Sequence, residues 1–122
     1  MVIFRLARSS GDVVKLYHNP RCSKSRQTLD LVKKESPEVV LYLKNPLSRG
    51  QINDLLTRLN EPISEIIRWG DKGAPKKPDI IDNHTVIDIL LANPNLMQRP
   101  ILDDGNVAMI CRPPEKSLNL IL

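Results

Sequence analysis

"VVKLYHNPRCSKSRQTLDLV", residues 13–32, changes periodicity once, and the change locates a cysteine. Residues 13–19 are apolar and β-branched and close on Asn19-Pro20, a turn-forming pair, so they read as a buried strand. A helical pattern follows, with Leu29, Val32 and the Thr28–Leu31 side as its apolar face, and it fades before Pro37. Cys22 therefore falls in the turn at a helix N-terminus. Backbone N–H groups there lack partners, and the helix dipole favours an anion. Arg21, Lys24, Arg26 and His18 add positive or hydrogen-bonding groups nearby. All of these favour a thiolate, the nucleophilic form of cysteine.

Outward from this unit, "VVLYL" (39–43) reads as a second short buried strand, closed by Asn45-Pro46. In "SRGQINDLLTRLN" (48–60), Ser48 and Gln51 have capping-box spacing, and Ile52, Leu55, Leu56 and Leu59 repeat on one helical face. "EPISEIIRWG" (61–70) reads as a short helix with Ile63, Ile66 and Ile67 inward and Gly70 as its stop. A polar loop (71–79) precedes the helix "NHTVIDILLANP" (83–94), with Asn83 or Thr85 near its cap. Residues 99–111 read as strand, Asp104-Gly105 turn and strand, and residues 112–122 as a closing helix with prolines in its first turn. A β-α-β unit requires parallel strands and a right-handed crossover. The hairpin adds antiparallel strands to the same sheet. The expected fold is α/β: a four-stranded mixed sheet with a helical insertion after the β-α-β unit, a thioredoxin-like (glutaredoxin-like) outline.

The chain's 122 residues suffice for one domain and are too few for two. No apolar run nears the ~20 residues of a membrane helix, and the short apolar start is too brief for a signal peptide. A cytoplasmic monomer is the expectation. The net charge is +4, but the 18 basic residues are scattered and only four aromatics are present, which argues against nucleic acid. A small anion held by a few arginines fits the surplus equally well. Cys22, Cys111, His18 and His84 lack the spacing of a structural metal site, so no metal is expected.

The chemistry open to Cys22 narrows by its neighbours. A dithiol oxidoreductase would carry cysteine at position 25, where Ser25 stands, and a C-x5-R phosphatase loop would need arginine in place of Thr28. His84 could serve a cysteine protease but lies on an apolar helix. A monothiol nucleophile that relies on an outside thiol for turnover remains. Cys111, alternating with Met109 and Val107, reads as an inward structural residue.

"YHNPRCSKSR" (17–26), "RPIL" (99–102) and "CRPPE" (111–115), in this order, resemble the glutaredoxin-coupled arsenate reductase family, the ArsC type with its arsenate reductase-like subgroup. The likeness runs from about residue 14 to the end, leaving 1–12 as an N-terminal extension before a single domain, 13–122. It implies that Cys22 is the nucleophile attacking arsenate, that His18 helps hold the thiolate, and that Ser25 and Arg26 are the residues following the family's cysteine. Arg68, Arg99 and Arg112 match the oxyanion site, and Pro100 matches a proline facing the cysteine. Arginine's planar fork suits tetrahedral oxyanions. The resemblance implies no bound cofactor, glutathione as co-substrate and glutaredoxin as partner. Two further readings stay open: a regulator docking on RNA polymerase, as in the related Spx type, which usually carries a C-x-x-C switch, and a glutathione-linked thiol transferase.

Overall fold

In the computed structural model, which describes residues 13–121, β1 covers only Lys15–Tyr17 of the first apolar run. Then come α1 (Ser23–Val32), a 3-10 turn (Lys33–Glu35) and β2 (Glu38–Val40). The insertion holds α2 (Arg49–Arg58), a 3-10 turn (Ile63–Ile66) and α3 (Asn83–Ala92). The chain returns through β3 (Ile101–Asp103) and β4 (Ala108–Ile110), and ends in a 3-10 turn (Pro114–Ser117) and α4 (Leu118–Ile121). The strands lie in the order β2-β1-β3-β4, with β1 and β2 parallel and the other pairs antiparallel. This is the expected mixed thioredoxin-like sheet. The extension assigned to residues 1–12 lies outside the described residues.

Strand alternation divides the core in two. Tyr17, Ile101, Ala108 and Ile110 face the insertion and pack with Ile52, Leu55, Ile66 and Val86. Leu16, Leu102 and Met109 face the opposite way, with Val32, Cys111 and Ile121. Fully burying a side chain such as Leu16 or Leu102 contributes about 1.5–3 kcal/mol, so each face has its own reason to hold the register.

Helix ends follow the chain's polar residues. The capping box at Ser48 is complete: the Gln51 N–H donates to Ser48 Oγ at 3.2 Å, and the Ser48 N–H to Gln51 Oε1 at 2.9 Å. At α3 the cap is Asp82, one residue before the expected pair, and it accepts from the Thr85 N–H at 2.9 Å. Gly105 adopts φ +94° in the hairpin turn, a conformation in which a Cβ is strained. Asp104 Oδ1 braces that turn by accepting from the N–H groups of Asn106 and Val107.

Four expectations need correction. The second strand stops at Val40 instead of running to Leu43, and it is an edge strand with Val39 39% exposed. Its last link to β1 is the His18 N–H donating to Val40 O at 2.9 Å. Pro20 has no N–H to extend the ladder, and the chain past Val40 folds into a turn. Leu31 is exposed, and the buried face of α1 is instead Ser25, Thr28 and Val32, small enough to lie against the 3-10 turn Pro114–Ser117. The turn at Ile63–Ile66 ends on Ile67, which bridges to Met97, so Gly70 does not terminate it. The closing segment forms one α-helical turn, because its prolines favour a 3-10 start.

Candidate active site

β1, β2 and β4 end, and β3 begins, on one rung. Tyr17 pairs with Val40 in β2 and with Ile101 in β3, and Ile101 pairs with Ile110 in β4. Just beyond that rung lie Tyr42 after β2, the 18–22 loop after β1, Arg99 before β3 and Arg112 after β4. The sheet register alone therefore gathers residues far apart in sequence at one end of the molecule. The Arg99-Pro100 and Arg112-Pro113 peptide bonds, both cis, lie here too.

Cys22 is the N-cap of α1, with extended backbone dihedrals and its N–H donating to Asn19 O at 3.0 Å. Ser25 is fully buried beneath the loop, where its Oγ accepts from the Asn19 N–H at 3.1 Å. Asn19 Oδ1 accepts from the Arg21 N–H, and Arg26 Nη1 donates to Pro20 O at 2.9 Å. Ser25, Asn19 and Arg26 thus hold the loop's shape, Arg26 from its outer side.

Arg112 Nη1 donates to Cys22 Sγ at 3.9 Å and to Arg99 O at 2.8 Å, joining the thiol to the β3 arm. Arg99 Nη1 donates to Asn95 O at 2.9 Å, and its Nε is buried with no hydrogen-bond partner. Arg68 arrives by a local antiparallel pairing. Its N–H donates to Leu96 O at 2.7 Å, while the Gln98 N–H donates to Ile66 O at 2.8 Å. Its side chain meets Asp71 at 2.6 Å and Gln98 Oε1 at 3.3 Å.

Burial acts to raise the Cys22 pKa, but the N–H groups of Ser25 and Lys24, then Arg112 and Arg99, outweigh it and hold the thiol below its ordinary value. Asp71 is held below the usual carboxylate range by its bond from Arg68, with Arg99 and Arg112 acting in the same direction. All three arginines therefore share one neighbourhood. His18, 5% exposed, has its pKa lowered by burial and by Arg26, which keeps the imidazole neutral near pH 7. Its Nδ1 is buried without a partner among the described residues. Cys111 is the contrast: fully buried and pushed up to about 12 by that burial, it is an inert packing residue.

Sequence reasoning singled out Cys22, Arg68, Arg99 and Arg112, and the fold brings them together. It missed Asp71. Asp71 stands three residues after Arg68, a pairing distance on a tight turn, and this spacing was the one available signal. Among the described residues no three His, Cys, Asp or Glu side chains form a metal-binding group, and no helix is long and apolar enough to cross a membrane.

A cysteine at a helix N-terminus, with Arg112 Nη1 3.9 Å from its sulfur across a mixed thioredoxin-like sheet, defines a class: thioredoxin-like proteins with one cysteine, and no second in a C-x-x-C pair, at the start of the first helix. The chain belongs to the ArsC family, whose profile matches residues 17–120. It is 40% identical over 114 residues to the uncharacterized protein YfgD of Escherichia coli (strain K12), covering 88% of this chain and 96% of that one. It is 33% identical over 116 residues to an arsenate reductase of Rhizobium meliloti (strain 1021), covering 88% and 81% respectively. An arsenate reductase from Vibrio cholerae superimposes with a TM-score of 0.77 at 28% identity, over 89% of this chain and 98% of that chain.

Proposed function

We propose that the chain is an arsenate reductase that draws its electrons from glutathione and glutaredoxin, with Cys22 as nucleophile and Arg68, Arg99 and Arg112 as oxyanion ligands. The observation that carries the reading is Arg112 Nη1 within 3.9 Å of Cys22 Sγ while it also holds the Arg99 backbone. A guanidinium so placed stabilises the thiolate before substrate arrives and can then share an arsenate oxygen. Membership of a family that includes arsenate reductases adds support.

In the proposed reaction, Cys22 thiolate attacks arsenic(V) and expels one oxygen as water after protonation, forming an S–As bond. Glutathione thiolate then attacks Cys22 Sγ. The S–As bonding pair stays on arsenic, which becomes arsenic(III) and leaves as arsenite, while the two sulfurs are oxidised to a mixed disulfide. A glutaredoxin thiol attacks the glutathione sulfur and releases Cys22. Ser25 supplies no resolving thiol at the fourth position of the loop, which is why the reductant comes from outside. The same absence speaks against a C-x-x-C regulatory switch.

The test is NADPH consumption with arsenate, glutathione, glutathione reductase and glutaredoxin. Wild type is expected to consume NADPH in an arsenate-dependent way, and Cys22→Ser to be inactive yet folded. Arsenate-dependent turnover by Cys22→Ser would refute the assignment. Consumption by wild type that depends on a disulfide substrate but not on arsenate would favour the thiol-transferase reading instead.

A further inference from the structure

Tyr42 is 1% exposed, and its Oη has no hydrogen-bond partner among the described residues. A phenol normally finds a partner when buried, since leaving a buried donor unmade is costly. Its position explains where a partner would be. Val40 pairs with Tyr17 on the rung that also carries Ile101 and Ile110, so Tyr42 lies two residues past that rung. Arg99 and Arg112 lie two residues beyond the same rung on β3 and β4. The charges acting on Tyr42 are those of Arg99, Cys22 and Arg68, with Arg99 the strongest. Arg99 Nε, like His18 Nδ1, is a further buried polar atom here without a partner. Two donors, one neutral and one cationic, are thus buried beside the thiol with nothing accepting from them. The phenol oxygen can accept from the Arg99 guanidinium, but its own O–H still needs an acceptor that a guanidinium cannot provide, and an anion would supply one to both groups.

We propose that Tyr42 Oη is an oxyanion ligand, donating a hydrogen bond to the tetrahedral anion held between Arg99, Arg68 and Cys22. The inference rests on the oxyanion reading of the site. The phenol adds what the guanidiniums lack: a donor on a rigid ring, fixed by packing against the Ile52, Leu90 and Met97 core, that brings no further charge. Burial pushes its pKa up to about 12, so it stays a protonated donor throughout the working pH range.

Tyr42→Phe removes the hydroxyl and keeps the ring. A ligand role and a packing role then predict opposite signs. If the hydroxyl serves the anion, the unliganded variant loses an unsatisfied buried group and unfolds at no lower temperature than wild type. Its arsenate binding, read as the concentration that half-protects Cys22 from iodoacetamide, weakens about ten-fold or more, as for loss of a hydrogen bond to a charged group. Equal half-protecting concentrations in the two proteins would overturn the proposal, as would a failure of arsenate to protect wild type. A variant that melts earlier and protects normally would make Tyr42 a packing residue and also overturn it. Protection needs no turnover, so the two readings fail separately. Weakened protection in Tyr42→Phe together with no arsenate-dependent NADPH consumption by wild type supports the ligand role and removes the reductase one.

Discussion

Arg58→Met tests how the sheet is held at the end away from the cysteine. Asp103 closes the rung Lys15–Asp103–Ala108, opposite the Tyr17–Ile101–Ile110 rung, and its side chain is 2% exposed. Arg58 Nε donates to both of its oxygens at 3.0 and 3.2 Å, and Nη2 to Oδ2 at 2.7 Å. The Gly105 N–H adds a fourth bond at 2.9 Å, and Tyr17 Oη stands at 3.4 Å. Removing the guanidinium leaves a buried carboxylate with a backbone N–H and a distant phenol. Breaking such a pair costs about 3–5 kcal/mol. Arg58 itself is 27% exposed, so water can reach part of the vacated space and the lower end applies. With a urea m-value of about 1.5 kcal/mol/M, ~3 kcal/mol moves the unfolding midpoint by about 2 M. Asp103→Asn, added to Arg58→Met, removes the orphaned charge while keeping an acceptor for Gly105, and is expected to recover most of the loss. The measurement is urea unfolding followed by far-UV circular dichroism. A loss below about 1 kcal/mol in Arg58→Met, or no recovery in the double variant, would refute the reasoning. Alkylation of Cys22 in the folded single variant should match wild type, because the pair lies at the other end of the sheet.

Two further outcomes follow from charge at the site. Asp71 occupies Arg68 in the unliganded protein, so Asp71→Asn should free a fork and lower the half-protecting arsenate concentration by about 1.4- to five-fold, in keeping with the ~0.2–1 kcal/mol of a partly exposed pair. An unchanged or higher concentration would show that Asp71 orients Arg68 instead of competing for it. Because the Cys22 pKa is depressed, iodoacetamide should react along a pH profile whose midpoint lies below that of an unperturbed cysteine thiol. The linked stability has a definite sign: it is fully present above the unfolded-state pKa and is lost as pH falls through the folded one. The stability of wild type relative to Cys22→Ser should therefore rise with pH across that window, and a flat difference would mean that neither the helix N–H groups nor the arginines depress the thiol's pKa.

What was legible in the sequence is what short-range chemistry decides. Asn19-Pro20 ends a strand and a helical period begins at Ser23, so Cys22 had to sit at a helix N-terminus, and it does. Ser48 with Gln51, and Asp104-Gly105, are local hydrogen-bonding units whose residues specify their own geometry, and both formed as read. Arg99 and Arg112 could be named because each adjoins a proline in a motif. Tyr42 could not. "VVLYL" is apolar throughout, so no alternation separates Val39 and Val40, which pair, from the three residues after them, of which only Tyr42 is buried. Only the pairing of Tyr17 with Val40, a fact about two distant segments, sets Tyr42 past the end of the ladder. In a strand running to Leu43 its hydroxyl would be one more aromatic tip along an edge. With the strand stopped by the missing N–H of Pro20, it becomes a buried donor beside Arg99, at the proposed anion site. The proline that shapes the cysteine's loop thus also ends β2, and a single backbone constraint sets the position of the nucleophile and of the proposed neutral ligand together.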